Sequence, residues 1–246
     1  MTTRLPAAVL WDMDGTIVDT EPYWMAAEIR LFASFGLEWT HEDAEQVVGM
    51  GLWESAELFR RHGVDLEPDE IVYGLTEQVR EQLRTDGVPW RPGARELLQE
   101  LREASVPTAL VTMSVRSMAE DVVRAIPFEA FDVIVAGDEV SEPKPHPEPY
   151  LLAAQRLGVD IADCVAIEDS PTGITSAHAS GAVALGIPNL LDLRGTAHHH
   201  LWDTLAGRTP VDLGELLVEL RAERSDAHDH DGTADDRGHD DGKASA

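Results

Sequence analysis

The chain has 246 residues, 43% of them hydrophobic, enough for one large domain or two small ones with buried cores, so disorder throughout is excluded. Against 46 Asp and Glu stand 19 Lys and Arg, a formal charge of −27 that repels phosphate backbones and anionic lipid, so neither nucleic acid nor a membrane is an expected partner. No run approaches the roughly 20 apolar residues of a spanning helix, the opening MTTRLPAAVLWD lacks the apolar stretch of a secretory signal, and the single Cys164 makes no internal disulfide; a soluble, cytoplasmic monomer is expected.

In chain order, the first strand signal is 7–11, a short apolar run stopped by Asp12 and Gly15. Residues 21–88 hold no strand signal but four amphipathic helical patterns, at 23–35, 41–48, 52–62 and 67–84. Further strand-length, apolar runs follow at 108–112, 132–136, 164–167 and 182–186, with helical patterns at 94–104, 115–125, 149–157 and 173–180. Strands alternating with helices predict an α/β fold, a doubly wound parallel sheet of Rossmann-like form, with both faces covered. The helical stretch interrupts the alternation after the first strand, so it reads as a small domain lodged at the carboxyl edge of the sheet, where open α/β sheets bind ligands. The expected organisation is therefore a core of 1–20 plus 89–224, a helical cap of 21–88 and a disordered acidic tail of 225–246. That tail carries seven acids and two bases, a net −5, so −22 of the charge belongs to the first 224 residues. Its interleaved histidines, and the cluster His198, His199 and His200, could chelate a metal loosely, but neither has the spacing of a structural site, and both are read as solvated segments.

Polar residues gather where strands end. Asp12 and Asp14 follow the first strand, Thr112 and Ser114 end the second, Lys144 lies beyond the third, and Glu168 and Asp169 close the fourth. In a parallel sheet these ends share one edge. Four carboxylates brought together raise one another's pKa unless a cation intervenes, and an all-oxygen ligand set favours Mg²⁺. A metal beside a lysine suits the neutralisation of a phosphoryl group.

Asp12-Met13-Asp14-Gly15-Thr16, then Thr112, then Lys144-Pro145, then Glu168-Asp169-Ser170-Pro171-Thr172-Gly173 resemble, in order, the four signature motifs of the haloacid dehalogenase superfamily, and the helical insert resembles its type 1 cap. Within that superfamily the chain looks most like the branch of β-phosphoglucomutase and small sugar phosphate phosphatases. The resemblance implies that Asp12 is the nucleophile of an aspartyl-phosphate, that Asp14 is the acid and base, that Thr112 binds phosphoryl oxygens and that Lys144 neutralises charge. It implies Mg²⁺ held by Asp12, the Asp14 carbonyl and Asp169, with Glu168 acting directly or through water. Gly15 fits a tight turn that aims N–H groups at phosphate, Ser114 joins it on the substrate side, and Ser170 with Pro171 also reads as a helix start.

The cap is expected to choose the substrate. Asp19-Thr20-Glu21-Pro22-Tyr23-Trp24 resembles the segment of hexitol and deoxysugar phosphate phosphatases, with Glu21 accepting sugar hydroxyls and Trp24 walling the substrate or simply filling the cap core. Leu52 stands where a mutase wants an Arg for a second phosphate, which favours a phosphatase over a phosphosugar mutase. Residues 21–88 contain no Lys for Schiff-base phosphonate chemistry, and the presence of Asp14 disfavours dehalogenation. A silent regulatory protein and an acidic metal-storing protein remain as alternatives of other classes.

Overall fold

The structure, a computed structural model, describes residues 5–231. Strands β1 (Ala8–Trp11), β2 (Thr108–Val111), β3 (Val133–Val135), β4 (Cys164–Glu168), β5 (Val183–Gly186) and β6 (His200–Leu201) form one sheet in the order β3-β2-β1-β4-β5-β6, every pair parallel. The order reverses at β1, which puts a crevice beyond its carboxyl end. All four residues of β1 are buried, and so is all of β4, as strands covered on both faces require. β6 was not expected: His-Leu is only two residues long and follows a polar histidine run with no β-branched signal. His200 thus pairs with Leu185 at the sheet edge, and His199 stacks on His178 at 4.6 Å, so this histidine cluster is not a solvated loop.

Alternate strand residues divide the core. Val9, Trp11, Leu110, Val165, Ile167, Val183 and Leu185 face one way, and Ala8, Leu10, Ala109, Val111, Ala166 and Ala184 the other. Helices α1 (Glu21–Ser34), α2 (His41–Glu45), α3 (Leu52–Arg61) and α4 (Pro68–Asp86) make up the insert; α5 (Ala94–Glu103) and α6 (Arg116–Arg124) then cover the first sheet face, while α7 (Glu148–Leu157) and α8 (Pro171–Ser180) cover the second. The final helix, α9 (Pro210–Asp231), packs on the first face through Leu213, Leu216, Leu217 and Leu220. It continues through residues 225–231, where disorder was expected: once leucines anchor its first turns, nothing in Ser-Asp-Ala-His-Asp-His-Asp breaks a helix, and Gly232 is the first residue that would. The rest of that tail, and the chelating role considered for it, lie outside the described residues.

The insert packs around an aromatic cluster that is continuous with the core on the first sheet face. Phe32 stacks on Trp39 at 4.2 Å, and Phe59 meets both edge-on at 5.4 and 5.3 Å, arrangements that add about 0.5–1.5 kcal/mol per pair to the area buried. Its entry and return are bound side by side: Asp19 N–H donates to the Pro89 carbonyl at 2.8 Å, and Arg91 N–H donates to that of Ile17 at 2.8 Å. α4 also reaches the core through Arg80 Nε, which donates to Asp121 Oδ2 at 2.6 Å. Among the described residues, no helix is long and apolar enough to cross a membrane.

Candidate active site

Register decides which side chains meet. Trp11 pairs with Ile167 on one side and Leu110 on the other, so the residues that follow, Asp12, Glu168 and Val111-Thr112, emerge together at the sheet edge. Asp12 N–H is tied to the Ile167 carbonyl at 3.0 Å. The loop after β3 returns Lys144 beneath them, and its Nζ donates to Asp12 Oδ1 at 2.8 Å, to Glu168 Oε1 at 2.6 Å and to the Val111 carbonyl at 2.8 Å. Asp169 completes the group at the N-terminal side of α8, where Ser170 caps the helix by accepting from Gly173 N–H at 3.1 Å, with Pro171 in its first turn.

Two glycines make this closeness possible. Gly15 has φ +82, and a Cβ there would lie 1.9 Å from Asp169 Oδ2; a Cβ on Gly173 would lie 2.0 Å from Glu168 Oε2. Gly15 does not aim its own N–H at the cavity, because that group donates to the Val18 carbonyl at 2.7 Å. Its part in the site is to leave room for Asp169.

Asp12, Glu168 and Asp169 offer ligand atoms that all lie within 4.8 Å of one another, and all three are buried. Three carboxylates against one ammonium leave a formal net −2 in a buried group. Burial pushes Glu168 up to about 7, with Asp12 adding to it, and burial raises Asp169 as well, helped by Asp12 and Glu168. For Lys144, burial alone would lower the pKa, but Asp12 and Glu168 together hold it above its ordinary value. Asp12 Oδ2 is buried with no hydrogen-bond partner. An orphaned carboxylate oxygen within a net −2 cluster of oxygen ligands fits a hard divalent cation.

Asp14 stands apart from that cluster. Its Oδ1 accepts from the Thr20 hydroxyl and from Trp24 Nε1 at 3.3 Å; its Oδ2 accepts from Ser114 Oγ at 2.7 Å and, at 3.4 Å, from Thr112 Oγ1. Desolvation raises its pKa, with the charge of Asp12 acting in the same direction. Thr20 sits at the N-cap of α1 but gives its hydroxyl to Asp14 instead of the helix, and Trp24 lies one turn further, so the insert's first helix grips this carboxyl directly. Over the carboxylates lies a cavity of about 100 Å³ between sheet edge and insert. Asp12, Asp14, Thr112, Ser114, Lys144 and Asp169 line it from the core, and Glu21, Trp24, Glu28, Met50, Leu52 and Ser55 line it from the insert.

The sequence pattern of the haloacid dehalogenase-like hydrolases matches residues 6–181. The chain belongs to this family. Fructose-1-phosphate phosphatase YqaB of Escherichia coli K12 is 33% identical over 185 residues, which are 74% of this chain and 96% of that protein. The bifunctional riboflavin kinase/FMN phosphatase of Arabidopsis thaliana is 32% identical over 190 residues, 76% of this chain, which spans 50% of that protein's length. Among solved structures, a CbbY mutant from Rhodobacter sphaeroides in complex with xylulose-(1,5)bisphosphate superposes with a TM-score of 0.76 at 29% identity, over 83% of this chain and 97% of that one.

Tyr150, Thr20 and Glu28 of this haloacid dehalogenase-like hydrolase, like Ser55, escaped sequence reasoning. Tyr150, fully buried on α7, donates its hydroxyl to Glu168 Oε1 at 2.5 Å; the apolar periodicity of its helix makes it look like core packing alone. Thr20 looks like an ordinary cap. Glu28 lies in mid-helix, where only its place on the same face as Glu21 and Trp24 could have signalled a cavity.

Proposed function

We propose that this hydrolase is a Mg²⁺-dependent phosphatase of sugar or polyol monophosphates that works through an aspartyl-phosphate on Asp12. The observation that carries it is the state of the Asp12 carboxylate: one oxygen is held by Lys144, and the other is buried, unpartnered and at the floor of the cavity. In the first step the Asp12 carboxylate attacks phosphorus and the bond from phosphorus to the alcohol oxygen breaks. Asp14, whose pKa is raised by desolvation and by the charge of Asp12, gives its proton to that leaving oxygen. Asp14 then takes a proton from a water that attacks phosphorus, and inorganic phosphate leaves with Asp12 restored. Lys144 holds Asp12 in its attacking orientation and offsets charge on the phosphoryl group. Thr112 serves the phosphoryl oxygens; its contact to Asp14, at 3.4 Å, is long enough to be exchanged for one of them.

The metal would be held by the carboxylates of Asp12 and Asp169 and the Asp14 carbonyl, with Glu168 direct or through water. When bound, Mg²⁺ neutralises phosphoryl oxygens and lowers the cost of charge that develops on them. Glu21 and Trp24 wall the side where the alcohol part would lie. The sugar phosphate specificity of the Escherichia coli relative supports the substrate class. The insert's side of the cavity carries Leu52 and no Lys, Arg or His, so a bisphosphorylated mutase intermediate is not favoured.

Phosphate release from a panel of sugar and polyol monophosphates, with and without Mg²⁺, tests the proposal, with β-glucose 1-phosphate followed separately for isomerisation. Mg²⁺-dependent hydrolysis of at least one member is expected, and Asp12→Asn should lower it by a factor of roughly 10³ or more with the fold intact by circular dichroism. Near wild-type turnover in Asp12→Asn, or none in the wild type across the panel, would sink it.

A further inference from the structure

We infer that Glu28 and Ser55 read the alcohol part of the substrate and restrict it to an uncharged, hydroxyl-bearing group. The inference rests on the phosphatase reading above and adds to it two specificity-determining residues and the exclusion of a second anion. Glu21, Trp24, Met25 and Glu28 are spaced i, i+3, i+4 and i+7 along α1, and all four line the cavity. Glu21 and Trp24 stand at the end nearest Asp14; Glu28 stands two turns further, where the part of a substrate remote from its phosphate would lie.

Glu28 is 7% exposed, and one of its oxygens, Oε2, accepts from Trp39 Nε1 at 3.3 Å. The insert's aromatic core thereby holds the carboxyl from behind, and no hydrogen bond from a described residue reaches Oε1. Ser55, on α3, is also 7% exposed and lines the same cavity, and its hydroxyl has no partner among the described residues. Neither oxygen is among the fully buried atoms that lack a partner, so both reach the open space of the cavity, where the hydroxyl of a ligand can pair with them. A carboxyl and a hydroxyl each offer a donor and an acceptor, the combination that sugar and polyol hydroxyls match. Burial, which pushes Glu28 up to about 8, keeps it in that neutral form near neutral pH.

The same wall argues against a second anion. Among the described residues, the one cation lining the cavity is Lys144, already held by Asp12 and Glu168, while Glu21 and Glu28 are the charged residue types on the insert's side. A remote phosphate or carboxylate would be desolvated with no counter-charge, which rejects such substrates by an unpaired group instead of a lost contact.

The test measures kcat/KM of the full chain with Mg²⁺ on three classes of probe. Fructose 1-phosphate and glucitol 6-phosphate form the neutral class, fructose 1,6-bisphosphate and 3-phosphoglycerate the anionic class, and p-nitrophenyl phosphate reports the chemistry without hydroxyls. The best neutral probe should exceed the best anionic one by about 100-fold. Glu28→Leu should lower the preference for the neutral probe over p-nitrophenyl phosphate by about tenfold, chiefly through KM, and Glu28→Gln, which keeps a donor and an acceptor, should restore most of it. Ser55→Ala should move the same ratio in the same direction. No turnover with any probe defeats the phosphatase reading. Turnover of p-nitrophenyl phosphate with anionic probes equal to or better than neutral ones overturns only the inference, as does an unchanged ratio in Glu28→Leu and Ser55→Ala. The wild-type ratio and Ser55→Ala decide the matter if Glu28→Leu fails to fold.

Discussion

The two walls of the cavity bury acids in opposite ways. At the sheet edge, Asp12, Glu168 and Asp169 crowd around Lys144, and the charge left over calls for a cation. Across the cavity, Glu21 and Glu28 have no lysine and no cluster of oxygen ligands; burial pushes both up to about 8, so a proton neutralises them. On the proposed reading, one wall would take a doubly charged phosphoryl group and a metal, and the other a group that carries no charge. The difference teaches that an acid-rich cavity does not have one electrostatic character: on one side the acids surround a buried ammonium, and on the other no ammonium among the lining residues stands beside them.

The largest expected effect comes from removing that counter-ion. Lys144→Met would leave three buried carboxylates uncompensated and should cost about 3–5 kcal/mol of stability, visible as a lower Tm that Mg²⁺ partly restores. An unchanged Tm would break the contrast between the walls. Next comes Gly15→Ala, which combines strain at φ +82 with a Cβ 1.9 Å from Asp169. It should destabilise by about 1–2 kcal/mol or more, and titration with Mg²⁺ followed by calorimetry should show weakened binding because Asp169 is displaced.

The insert's wall is tested by pH. Glu28 has its pKa raised from 4.5 to about 8 on folding, so its contribution to stability is fully present below 4.5 and is lost as pH rises through about 8. Tm should therefore fall between about pH 6 and pH 9 with Mg²⁺ present, and fall less in Glu28→Gln, whose amide does not titrate. Equal slopes in the two proteins would show that Glu28 is not held neutral. The smallest effect belongs to the contact between the regions: Arg80→Ala removes the ion pair with Asp121, whose side chains are 22% and 18% exposed. It should cost less than about 1 kcal/mol in urea unfolding, and a larger loss would mean that insert and core are more tightly joined than the two walls suggest.

Much of the fold was legible in the chain. The runs from Ala8, Thr108, Val133, Cys164 and Val183 are apolar because both sheet faces are covered, and such runs announce buried parallel strands without any tertiary knowledge. The acids and the lysine of the core were legible for the same reason: each stands next to a strand end, and parallel strands send their ends to one edge. What sequence reasoning lost were residues whose local context is ordinary. Tyr150 reads as helix core, Thr20 as a cap, and His200 as part of a polar run. The segment 225–231 read as disordered because composition reports on the balance of apolar and charged residues, not on whether a preceding helix is already anchored.

By itself, then, the sequence determined the parallel α/β architecture, the helical insert after β1 and the identity of the acids that share the sheet edge, because strand periodicity and strand-end placement are local properties of the chain. Only the tertiary structure decided that the Asp14 carboxyl is gripped by Thr20 and Trp24 instead of joining the carboxylates of Asp12, Glu168 and Asp169, that Tyr150 reaches Glu168, and that Glu28 and Ser55 face the cavity. Those facts depend on how the helical insert settles over the sheet, and the contacts that set it join residues far apart in sequence, which no local pattern encodes.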